Sequence, residues 1–142
     1  MTVEVTDKSA GVRLRLQSVV ALLAGFAAVA VLSLAADTVF QMLGVYPAGR
    51  EPMNEAGDNA LALSYRLVFG ALGSYIAARL TPTRPMRHAL ILGAIGTVVA
   101  IAGVAATWNL DLGPRWYPIA LAVTALPCAW IGGALHRPKA AA

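Results

Sequence analysis

Charge is scarce in this chain. Only 13% of its 142 residues are Asp, Glu, Lys or Arg, about half the share usual in soluble domains. Cysteine occurs once, at Cys128, which excludes an intrachain disulfide and any CxxC redox or metal motif. The two histidines, His88 and His136, both fall at the predicted cytoplasmic ends of apolar segments and lack a third ligand for a metal centre. There is no glycine-rich phosphate loop, no Ser/His/Asp set and no pair of carboxylates inside an apolar run. Cys128 has no span histidine to activate it and reads as a small packing residue. These absences predict a non-catalytic protein with no cofactor and no metal.

What the chain has is apolar sequence, 58% of it in the wide sense. Four stretches reach the roughly 20 residues needed to cross a ~30 Å hydrocarbon layer. They are 16–36, 60–78, 89–107 and 116–135. Almost nothing remains for a soluble domain, so residues 1–142 are predicted to form a single membrane domain. The fold class expected is all-α, an integral membrane protein built as an antiparallel four-transmembrane-helix bundle, because short connections favour antiparallel neighbours. The first run, preceded by Arg13 and Arg15 and containing Ser33-Leu34-Ala35, has some features of a secretory signal peptide. It is longer than the ~7–15 residues of a signal core and is retained as a span. Val39, Phe40 and Leu43 continue its spacing up to Gly44 and Pro47, which extends the first helix to about residue 43. Residues 1–12 are expected to be frayed or to lie on the lipid surface.

Net charge is +4, but its placement says more than its sum. Lys8, Arg13, Arg15, Arg79, Arg84, Arg87, Arg137 and Lys139 gather on one side, and only Arg50 and Arg115 on the other. The positive-inside rule then puts both termini and the 79–88 connection in the cytoplasm, as in a bacterial inner membrane. Basic segments so distributed are explained by topology and anionic lipid, and nucleic acid is not an expected partner. The lipid bilayer is, together with a membrane-protein partner or self-association. Tyr46, Trp108, Trp116 and Tyr117 fall at the outer edge, where an aromatic belt belongs. Asp58 or Asn59 is the expected cap of the second helix.

Helices in lipid associate through close contact at small residues. Gly70, Gly73 and Ala77 form such a stripe in the second span, and Gly93, Gly96, Ala100 and Gly103 form another in the third. Tyr65, Phe69, Leu72 and Ile76 make a bulkier face suited to lipid or larger grooves. Pro127 predicts a kink in the fourth span, since it frees the Val123 carbonyl, with Thr124 at hand to help satisfy the local backbone.

One residue resists this pattern. Arg66, the last cation of the set, lies inside the second span on the outward extension of its small-residue stripe. A permanent cation in hydrocarbon is costly unless it snorkels or finds a counter-charge. Asp37 is the one acidic residue on a plausible continuation of a span, so Arg66 and Asp37 are the candidate ion pair, or the candidate ligand site. An accessory or structural membrane subunit is the function expected. The alternative is a small oligomeric transporter or channel with an outward-facing site near Arg66 and Asp37.

Overall fold

A computed structural model of the chain describes residues 2–49 and 51–136, with side chains from residue 7 onward. Arg50, Arg137 and Lys139, three of the cations used above to orient the chain, lie outside the described residues. Four helices account for nearly all of it: α1 (Thr2–Met42), α2 (Ala56–Leu80), α3 (Pro85–Thr107) and α4 (Trp116–Leu135). Each is long and apolar enough to cross a membrane, and there are no strands among the described residues.

Helix α1 departs from expectation at its start. The N-terminal residues are not frayed but continue the helix back to Thr2, giving a rod about 60 Å long at ~1.5 Å per residue. Nothing in "DKSAGVRLRLQ" breaks a helix beyond the tolerable Gly11, and Leu, Arg, Lys, Gln and Ala are good helix formers. Its other end closes in a Schellman motif, in which the Val45 amide donates to the Phe40 carbonyl and the Gly44 amide to Gln41. Gly44, at φ 72°, supplies the left-handed residue this motif needs.

Helix α2 starts earlier than the expected caps. Glu55 takes the N-cap position without a side-chain hydrogen bond, and Asp58 lies in the first turn. Asn59 does a different job. It is 3% exposed, and its amide nitrogen donates to the carbonyls of Met53 (2.7 Å) and Glu55 (2.9 Å). The Met53 amide in turn donates to the Leu112 carbonyl at 3.1 Å, which ties the 43–55 connection to the 108–115 connection. Gly113 permits this approach: a Cβ there would stand 2.6 Å from the Met53 carbonyl oxygen.

The helices meet through residues too small to hold them apart. Among the described residues the buried hydrophobic ones are alanines, Ala21, Ala62, Ala77, Ala78, Ala89 and Ala129, joined only by Leu92 and Tyr46. Large apolar residues such as Leu23, Val31, Val68, Val98 and Ile101 point outward. This inverts the pattern of a water-soluble core and matches helices that associate by backbone approach. Gly25 of α1 and Gly73 of α2 face each other, and a Cβ on Gly25 would fall 3.0 Å from the Ala77 Cβ and 2.9 Å from Leu92 Cδ2. Gly93 of α3 abuts Ala129 of α4, Gly133 abuts Ala89, and Gly132 abuts the Ala71 carbonyl of α2. Helices α2 and α3 each touch the other three, whereas the backbones of α1 and α4 do not approach each other among the described residues. Hydroxyls within the helices mostly turn back one turn onto the backbone, as Thr38 does to Leu34, Ser64 to Ala60 and Thr97 to Gly93, so no polar oxygen of theirs has to seek a distant partner.

One expectation needs correction. Gly103 is not a packing residue, because a Cβ placed on it would meet nothing within 4 Å; α3 and α4 part there around a cavity. Helix α4 runs through Pro127, and the Thr124 hydroxyl turns back onto the local backbone, donating to the Ala120 carbonyl at 2.6 Å. The i−4 carbonyl is the one a helical threonine reaches when its χ1 points back along the axis.

Candidate functional site

Along α1 from Gly25 to Asp37, the facing residue on α2 moves from Gly73 back to Arg66. That register brings the two candidate charges together at the end of the molecule carrying the stitched connections. Arg66 Nη2 lies 2.6 Å from Asp37 Oδ2. The second Asp37 oxygen, Oδ1, accepts from the Tyr65 hydroxyl, and Arg66 Nη1 donates to the Tyr117 hydroxyl of α4. Arg66 thus spans three helices, with Asp37 on α1, its own stem on α2 and Tyr117 on α4. Its guanidinium carbon also stands 5.7 Å from the Tyr117 ring centroid, within cation–π range.

The arrangement follows from helix geometry. Tyr65 and Arg66 are adjacent on α2 and point about 100° apart, so one carboxylate seated between them takes one donor on each oxygen. Ionised partners make these hydrogen bonds shorter and roughly twice as strong as neutral ones. The pair is partly sheltered, with the Arg66 and Asp37 side chains 29% and 24% exposed. Arg66 Nε is buried without a hydrogen-bond partner among the described residues.

An aromatic cluster closes the site. Phe40 stacks on Tyr65 at 5.6 Å between centroids, and Tyr46 tilts against Phe40 at 5.3 Å. The Tyr46 hydroxyl donates to that of Tyr65 at 3.4 Å. Burial pushes the Tyr46 phenol above its ordinary pKa, the Tyr65 hydrogen bond opposing this only in part, so it remains protonated and able to donate. Tyr46 is therefore not a belt residue. The Schellman turn folds it inward until 6% of it is exposed. Tyr65 likewise leaves the bulky outer face expected for it and turns to Asp37. Tyr117, also expected in the belt, is drawn to Arg66. Trp108 and Trp116 do stay exposed at this end, and the Arg115 guanidinium lies 4.9 Å over the Trp108 ring.

Beside Tyr117 a cavity of about 640 Å3 opens between α3, α4 and the two connections. Ala100, Gly103 and Val104 of α3 and Leu121 of α4 line its inner part, and Asp111, Arg115 and Trp108 its mouth. Of the predicted packing residues, Gly73, Ala77 and Gly93 sit in tight contact. Gly70 and Gly96 stand at ordinary van der Waals distance, 3.8 Å by a built Cβ, from Cys128 and Ala125. Ala100 and Gly103 belong to the cavity wall. His88 turns its Nδ1 to the Arg84 carbonyl at 3.2 Å, and His136 lies edge-on to Tyr75 at 6.1 Å.

Sequence reasoning missed the three tyrosines and the small residues Ala21, Gly25, Gly132 and Gly133. The small residues had a readable signal, namely the four-residue step from Ala21 to Gly25 and the Gly132–Gly133 doublet. Tyr65 had one too, as a hydroxyl next to the only cation in a span. Compared with known protein families, curated proteins and solved structures, the chain matches none.

Proposed function

We propose that the chain is a non-catalytic integral membrane protein, an antiparallel four-helix bundle serving as an accessory or structural subunit, with Arg66 and Asp37 as the clasp that sets the register of α1, α2 and α4. The observation that carries this reading is the direct pairing of the two charges inside the bundle. Both Asp37 oxygens and both terminal nitrogens of Arg66 are spent on internal partners. A transport site must instead exchange its partners for a ligand at each cycle. Buried ionic groups that fix register are the best-attested structural use of such pairs. The core of alanine and glycine beneath an outward apolar surface supports lipid as the surrounding solvent. The distribution of Lys and Arg supports a bacterial inner membrane with both termini cytoplasmic.

The test is a charge swap. Arg66→Asp and Asp37→Arg each lower folded yield, and the double variant recovers it; a double variant as poor as either single one refutes the clasp. Orientation is tested by Thr83→Cys in a Cys128→Ala background, which maleimide reaches from the cytoplasmic side alone. A stoichiometric larger partner in mild-detergent purification supports the accessory role. An oligomer of this chain that passes ions in liposomes, and loses that flux on Arg66→Gln, supports the transporter alternative, which the unpartnered Arg66 Nε favours.

A further inference from the structure

The cavity shares Tyr117 with the clasp, and its chemistry is divided along its length. Its inner wall, Ala100, Gly103, Val104 and Leu121, carries no hydrogen-bonding side chain. Thr107, further along the same face of α3, spends its hydroxyl on the Gly103 carbonyl at 2.7 Å. At Gly103 a Cβ would meet nothing within 4 Å, so the trough is open there. The mouth is polar and carries one charge of each sign, Asp111 and Arg115. Neither belongs to an ion pair among the described residues, although both line the same opening. Trp108 adds an aromatic face beside them.

We propose that this cavity binds one zwitterionic glycerophospholipid, an acyl chain lying in the trough and the headgroup seated between Arg115 and Asp111. The proposal rests on the reading that the helices span a bilayer. Its volume of about 640 Å3 falls within the ~300–1,000 Å3 typical of ligand sites. An arginine pairs with the headgroup phosphate through its planar donors. The ammonium finds a carboxylate in Asp111. A lipid with an anionic headgroup would satisfy Arg115 and leave Asp111 facing a like charge, and a diacylglycerol would leave both charges unmatched. Lining residues are held by bonds of their own. Tyr117 is anchored by Arg66, and Met53 by Asn59 and the Leu112 carbonyl. The site is thus supported by bonded elements rather than by the lipid itself.

Native mass spectrometry of the full chain tests this, with phosphatidylethanolamine, phosphatidylglycerol and diacylglycerol of identical acyl chains supplied in equal amounts. One phosphatidylethanolamine is expected to be retained per chain, roughly tenfold over either competitor. Gly103→Leu fills the trough and cuts that retention by a similar factor. Asp111→Asn with Arg115→Gln keeps a bound lipid and abolishes the preference. Equal retention of the three lipids, preference for phosphatidylglycerol, or a Gly103→Leu chain that binds as before overturns the proposal. Should Gly103→Leu not fold, the loop double variant decides alone, since a preference that survives it is equally fatal. A chain released from membranes by alkaline extraction refutes the spanning reading itself; a membrane-retained chain without lipid preference refutes only the lipid site.

Discussion

The seam between α1 and α2 and the seam between α3 and α4 solve the same packing problem in different ways. Both bring backbones close through glycine and alanine, Gly25 on Gly73 in the first and Gly93 on Ala129 in the second. Only the first adds charge: Arg66 joins Asp37 across it, and Tyr65 reaches the same carboxylate. The second has no salt bridge among the described residues, and its threonines bond to their own helix. Close contact of small residues is enough to join two helices, and it is tolerant of which small residues are used. A charge-assisted bond between fixed positions is less tolerant and selects one register. The difference places specificity in the α1–α2 seam and plain adhesion in the α3–α4 seam.

The sharpest way to break this contrast is to leave one charge alone. Asp37→Ala strands Arg66 and is expected to cost about 3 kcal/mol, at the low end for a broken buried pair because the site is partly exposed. Thermal unfolding in detergent measures it, and Asp37→Ala with Arg66→Met should lose less than Asp37→Ala alone. Next in size, Gly25→Val and Gly93→Val each overpack a seam by about 2 kcal/mol. If Gly93→Val proves as damaging as Asp37→Ala, the two seams do not differ in kind. Tyr65→Phe removes a hydrogen bond to a charged acceptor and should cost about 1.5 kcal/mol, with no counterpart available on α3 or α4. Smallest is Gly103→Ala, which lies on neither seam and should leave stability unchanged or raise it by up to ~1 kcal/mol through helix propensity.

Much of the fold was legible because it is written in averages. Four long apolar runs give four helices in any reading, and the bounds of α3 and α4 lie close to prolines, glycines or tryptophans that mark them. Arg66 was conspicuous because a cation in an apolar run has few tolerable environments, and Asp37 because no other carboxylate lay along a span. The tyrosines were not legible in this way. A phenol is at home in a lipid belt, on a helix face or in a hydrogen bond, and which one applies depends on rotation of the helix about its axis. Tyr117 is 51 residues from Arg66, a separation that no local pattern encodes. The reach of α1 back to Thr2 is hidden for the opposite reason: the segment is polar, which suggests fraying or the lipid surface, although the residues themselves favour helix.

The order of the clasp along the chain bears on how such a protein is made. Synthesis proceeds from the N-terminus, and Asp37 precedes Arg66 by 29 residues. The acid is thus already waiting when the cation emerges from the ribosome, and the two can neutralise each other as a hairpin before α3 has emerged in turn. Tyr117 comes last and latches onto an arginine that is already housed. A chain with the same two residues exchanged would have the same final contacts but would deliver its cation first, unaccompanied.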